Sequence, residues 1–182
     1  MIITWLFILG LAAATILIHL EGLWILRTLP RYFEDLPRLG VLTVVMTCLM
    51  LHVVEISLYA MGFLTGDRWF AIGHFNDEAH LDLMAYFYYS AITYTAVGYG
   101  DILPSGDIRL LAVAESLNGL LLIGWSGAFT FLAMQRLWTE RVSQKREARQ
   151  AARAASKRNG KAGVAASGTP KQAPAVRSQR VA

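Results

Sequence analysis

The 182-residue sequence predicts an all-α membrane fold, in which three helices span the bilayer and a shorter fourth enters it and turns back. Three observations carry this expectation. Hydrophobic residues make up 55% of the chain and charged residues only 16%. The apolar residues gather in stretches 2–29, 39–64 and 108–138, each at or above the roughly 20 residues that a spanning helix needs. Between the last two lies an aromatic segment, 81–94, too short to cross at about 1.5 Å per residue. The length allows about one domain.

The first stretch contains Ala12-Ala13-Ala14, a small-residue pattern like that of a leader cleavage site. No Lys or Arg precedes it, and the apolar character runs on to Leu29, past the roughly 7–15 residues of a cleavable apolar region. A retained helix over 1–29 is therefore expected, followed by a link over 30–38. The body of the chain, 39–138, divides into an outer helix (39–65), the short helix (81–94), a loop (95–101) and an inner helix (107–138). Residues 139–182 form a basic tail. Ala, Arg, Gln and Glu favour a helical extension over 140–157, and the Gly, Ala, Ser, Pro and Lys/Arg composition beyond Lys157 predicts that order ends there. Cys48, alone of its kind, falls within the second apolar stretch, which excludes an intrachain disulfide or a cysteine metal cluster.

Charge divides along the chain. The tail holds eleven Lys/Arg against two acids, Glu140 and Glu147, and the rest holds six against eleven. Arg27, Arg31 and Arg38 flank the link, so the positive-inside rule places link and tail in the cytoplasm and the N-terminus outside, in the inner (cell) membrane. Asp67, Asp77, Glu78, Asp82, Asp101 and Asp107, against Arg68 and Arg109, then face outward as a vestibule that concentrates cations. The tail reads as a solvated, topology-fixing segment whose charge also fits anionic lipid, and no nucleic-acid partner is expected.

The loop after the aromatic segment reads Thr95-Ala96-Val97-Gly98-Tyr99-Gly100-Asp101. Non-helical backbone at membrane depth survives only where protein buries it or water lines it. Gly98 and Gly100 admit positive φ without a Cβ clash, so that successive carbonyls can point one way while Val97 and Tyr99 turn outward. The short helix aims its partly negative C-terminal end at the same place, which favours a cation.

On these residues the chain resembles the potassium channel superfamily over 39–138, and most closely the small bacterial two-transmembrane channels of outer helix, pore helix, filter and inner helix. One further N-terminal helix is added here. The resemblance implies a homotetramer, since each chain supplies one filter strand and the pore takes four. It also implies passive, selective conduction of K+ as the permeating ion, bound at the backbone of Ala96, Val97, Gly98 and Tyr99, with no other cofactor. Two departures matter. The family usually has threonine directly before the filter valine, where this chain has Ala96. Thr95 is one residue too early to supply that hydroxyl, so a weakened inner ion site is expected, with water in the vacant positions. Where some relatives carry a glutamate, Ile92 stands, which leaves Tyr88 or Tyr89 as the candidate donor to Asp101.

Within the inner helix, Gly119 lies ten residues after Arg109, an interval resembling that to the hinge glycine of the bacterial channels. Close packing, which Gly124, Ser126, Gly127 and Ala128 also favour, is the competing expectation. At helical spacing Gly119, Leu120, Ile123, Gly127 and Phe131 are expected to face the cavity, with Gln135 near the inner mouth and Phe131 as the apolar constriction. Ionisable groups within spans are costly and count as functional candidates. His52 and Glu55 share one face of the second helix, and Glu115 and Asn118 one face of the third. Their similar depths predict that Glu55 meets Glu115, either as a pH-sensing pair with His52 or as a polar brace. His19 and Glu21 receive no role, and the first helix lacks the repeated arginines of a voltage sensor.

No metal-ligand or nucleophile spacing and no phosphate-binding glycine loop appears, so no enzyme activity is expected. The tail carries no nucleotide-binding or calcium-sensing sequence. The alternatives are a weakly selective monovalent cation channel, motivated by Ala96; a subunit of a potassium uptake transporter, disfavoured because those carry four degraded loops in one chain; and a membrane-anchored binding protein acting through its tail.

Overall fold

A computed structural model describes residues 2–27, 36–76 and 81–167. Six elements follow in order: α1 (Ile2–Leu26), α2 (Pro37–Arg68), β1 (Gly73–Phe75), α3 (Leu83–Tyr94), β2 (Pro104–Gly106) and α4 (Ile108–Ser167). Three helices are long and apolar enough to cross a membrane, over Thr4–Leu26, Arg38–Arg68 and Ile108–Lys157. Arg31, Asp77, Glu78 and residues 168–182 lie outside the described residues, as do Thr28 and Leu29 at the expected end of the first helix.

Local chemistry sets the boundaries. Pro37 opens α2 at its first turn, where its missing N–H costs nothing. Asp82 caps α3, its Oδ1 accepting from the Ala85 amide at 2.7 Å. α3 therefore begins at Leu83 rather than at Leu81.

The chain divides into two units, Met1–Trp138 and Thr139–Ala182. In the second, helix continues to Ser167, ten residues beyond the expected loss of order at Lys157. Residues 161–166, Lys-Ala-Gly-Val-Ala-Ala, are half alanine, the strongest helix former.

In the first unit, α1 and α2 pack antiparallel by fitting large residues onto glycines. Leu51 lies where a side chain at Gly22 would project, and Leu11 does the same at Gly62. Small residues that admit close approach are how apolar helices associate without a hydrophobic driving force. α1 runs parallel to α4 and is bonded along it at three levels: Thr4 Oγ1 donates to Asp107 Oδ2, just before α4, at 3.2 Å, Asn118 Nδ2 donates to Thr15 Oγ1 at 2.7 Å, and Ser126 Oγ lies 3.2 Å from His19 Nε2.

A two-stranded antiparallel ribbon, Gly73 opposite Gly106 and Phe75 opposite Pro104, ties the α2–α3 connection to the start of α4. Gly73 is required there, because a Cβ would stand 2.2 Å from the Ser105 carbonyl oxygen. Beneath the ribbon Phe63, Phe75, Tyr86 and Tyr89 pack edge to face, with centroids 4.9 to 6.0 Å apart. Ile108 and Leu111 complete this cluster, which fixes α3 against α2 and α4.

Phe63 is fully buried at its centre, so Phe63→Ala is expected to cost about 3–5 kcal/mol through lost contact and a residual cavity. Thermal unfolding of the solubilised protein checks this, and a midpoint equal to that of the parent chain would show that the cluster does not hold α3.

Candidate functional site

The candidate site begins where α3 ends. Its last carbonyls, which a helix leaves without partners, are satisfied by the loop itself. Ala91 accepts from the Thr95 amide at 3.2 Å, Thr93 from Ala96 at 2.9 Å and Ile92 from Gly98 at 3.1 Å. Ser116 of α4 adds a hydroxyl to the Thr93 carbonyl at 2.9 Å. Thr95 Oγ1 donates to Ala91 O at 2.8 Å, so its hydroxyl proton is committed to α3 and does not replace the threonine missing at Ala96.

Beyond this anchor, φ is positive at Ala96 (57°), Gly98 (53°) and Gly100 (79°), and Val97 and Tyr99 intervene without it. Backbone that alternates in this way turns successive carbonyls to one side. The two glycines were anticipated from the sequence and Ala96 was not. At Ala96 a left-handed conformation costs about 1–2 kcal/mol, and its amide is tethered to the Thr93 carbonyl. Val97 and Tyr99 are 55% and 72% exposed among the described residues of the single chain. At the far end Tyr88 donates to Asp101 Oδ2 at 2.9 Å, and that bond pushes the phenol above its ordinary range. Tyr89, the other candidate donor, is buried between Phe63 and Phe75 instead.

Tyr94, the last residue of α3, is fully buried and held from two sides. A Cβ at Gly119 of α4 would stand 2.3 Å from the Tyr94 carbonyl oxygen and 2.9 Å from its ring. Its hydroxyl donates to Glu55 Oε2 at 2.5 Å. Glu55 is itself fully buried, with His19 Nδ1 2.7 Å from Oε1 and His52 Nδ1 3.2 Å from Oε2. His52 Nδ1 also lies 2.9 Å from the Tyr94 hydroxyl, and Ser126 Oγ lies 3.2 Å from the other nitrogen of His19.

The expected meeting of Glu55 with Glu115 is therefore corrected. Glu55 is occupied by His19, His52 and Tyr94, and Glu115 lies against Ser90, whose Oγ is 2.5 Å from Oε1. Ser90 is also 2.8 Å from the Ile56 carbonyl, so one hydroxyl hydrogen faces two acceptors. Glu115 Oε2 has no hydrogen-bond partner among the described residues. Asn118 reaches Thr15 and, at 3.0 Å, the Tyr59 hydroxyl. His19, given no role from sequence, proves central. The only sequence signal for it was an ionisable residue inside an apolar stretch, the same signal that singled out His52 and Glu55.

On α4, Leu120, Ile123, Gly127 and Phe131 are exposed along with Leu117 and Gly124, leaving an apolar face uncovered within one chain. Gly119 does not join that face. It is buried beneath Tyr94, which corrects its assignment to the cavity and identifies close packing as its role.

Gly119→Ala should destabilise by about 1–3 kcal/mol through overpacking. Gly124→Ala, with nothing within 4 Å, should be neutral or stabilising from helix propensity. Paired thermal unfolding of the two variants tests this, and equal midpoints would remove the packing role of Gly119.

Residues 46–136, half of the 182, match the ion channel family. No curated protein and no solved structure matches the chain significantly. The match begins within α2, ends within α4 and contains α3, residues 95–101 and the exposed face of α4, whereas α1 precedes it. With its three apolar helices the protein is a multi-pass membrane protein, and it belongs to the ion channel family, within the potassium channel superfamily of two-helix pores.

Proposed function

We propose that the chain is a potassium-selective channel subunit, in which four copies bring residues 95–101 around one axis and conduct K+ passively. One observation carries the proposal: the alternation of positive φ at Ala96, Gly98 and Gly100, which lets carbonyls of consecutive residues replace the hydration shell of an ion. The exposed Val97 and Tyr99 and the uncovered face of α4 then pack against neighbouring copies or line the cavity, with Phe131 at its constriction. Ions bind at the backbone of Ala96, Val97, Gly98 and Tyr99. The bond from Thr4 to Asp107 supports a common level for the starts of α1 and α4, and the basic residues that follow α1 and the apolar part of α4 favour an outside N-terminus and a cytoplasmic C-terminus.

A second reading, a weakly selective cation channel, is favoured by one observation: Ala96 offers no hydroxyl, and Thr95 has committed its own to Ala91. Ion substitution separates the two.

In liposomes holding the purified protein, K+ and Rb+ should enter and Na+ should not. Gly98→Ala, which puts a Cβ at a φ of 53°, should lower the K+ flux by about tenfold or more while the oligomer persists. Equal Na+ and K+ flux would favour the second reading, and vesicles as tight as empty ones would overturn both. Ala96→Thr should strengthen the inner ion site, read as a changed affinity for K+ and for a blocker applied from the cytoplasmic side. Unchanged affinities would show that the missing hydroxyl has no consequence.

A further inference from the structure

Three ligand atoms converge behind the start of the proposed filter. His19, His52 and Glu55 each offer one ligand atom within 4.8 Å of the others, and on both imidazoles the nitrogen against the Glu55 carboxylate is Nδ1. They come from α1 and α2, and the Tyr94 hydroxyl from the end of α3 closes the set at 2.5 Å from Glu55 and 2.9 Å from His52. The donor set is two imidazole nitrogens, one carboxylate and one weak oxygen, which suits a four-coordinate divalent transition ion such as Zn2+.

From these residues we propose that His19, His52, Glu55 and Tyr94 form a binding site for a zinc-class divalent ion that ties the end of α3 to α1 and α2.

The supporting contact is already in place. A ligating Nδ1 requires the hydrogen on Nε2, and His19 Nε2 has Ser126 Oγ of α4 at 3.2 Å to receive it. An outer partner of this kind fixes tautomer and ring orientation in metal sites. Bonds of about 2.0–2.1 Å in a tetrahedron set the ligand atoms about 3.3 Å apart, so the hydrogen-bonded contacts of 2.5–3.2 Å must open slightly while the wider separations, at most 4.8 Å, close around the ion. The His52 side chain is 14% exposed in the single chain, while those of His19 and Glu55 are at 0%. Without metal the same atoms form a hydrogen-bonded brace, and that is the alternative to be excluded.

Coordination is read without reference to conduction, so its failure and that of the channel assignment are distinguishable. The purified full-length protein is titrated with Co2+. A visible absorption band of four-coordinate Co2+ at about one equivalent per chain, displaced by Zn2+, is expected. His52→Gln and Glu55→Gln, which retain hydrogen-bonding ability, should abolish the band, and His74→Gln, an exposed histidine elsewhere, should leave it unchanged. Ser126→Ala should weaken Zn2+ binding by about 10–100-fold. Zn2+ should raise the unfolding temperature of the parent chain and not that of His52→Gln. If Glu55→Gln does not fold, His52→Gln carries the comparison. No four-coordinate band in the parent chain, a band that survives in His52→Gln, or no thermal shift with Zn2+ would each overturn the proposal.

Discussion

A helix that ends inside the apolar layer of a membrane must hand its last carbonyls to protein, because hydrocarbon offers them nothing. The ordering of this chain follows from how that is done at Tyr94. The three carbonyls before it receive amides from the turn that follows, and the Tyr94 carbonyl lies in the space that Gly119 leaves open. Its ring and hydroxyl reach back to α2, where Glu55 accepts the phenolic hydrogen. Residue 95 starts from a fixed point, and the alternating backbone of 96, 98 and 100 inherits that placement.

The additional N-terminal helix takes part in the same constraint. α1 is bonded to the residues around α4 at Thr4, Thr15 and His19, and His19 also closes onto Glu55. In a medium with no hydrophobic drive between helices, such polar contacts and the glycine-leucine fits decide which faces meet. α1 thereby forms a backing against which both α2 and α4 are positioned, and through His19 it reaches Glu55, the residue that accepts from Tyr94.

The architecture was legible because each span exceeds the length of the bilayer and the re-entrant segment falls short of it. The loop was legible because Gly98 and Gly100 are the residues that positive φ favours. Ala96 was not, since its conformation is imposed by the amide bonded to Thr93 rather than by its own preference. Gly119 divided hinge from packing evenly until the position of Tyr94 was known, because a missing side chain serves both. The pairing of Glu55 with Glu115 failed because depth places residues at a level without saying which faces meet. Ser90 took Glu115, and the phenol of Tyr94 took Glu55. The helix past Lys157 was not legible because the lack of large apolar residues there argues against a packed core without arguing against an alanine-rich helix.

The central claim is that main-chain oxygens of residues 96–99 surround a permeating ion on an axis shared by four copies. Anomalous diffraction from crystals grown in Rb+ tests it most directly. A row of peaks is predicted on a fourfold axis, level with the carbonyls of Ala96, Val97, Gly98 and Tyr99. Crystals whose protein packs without a fourfold axis, or whose Rb+ peaks lie away from those oxygens, would contradict it.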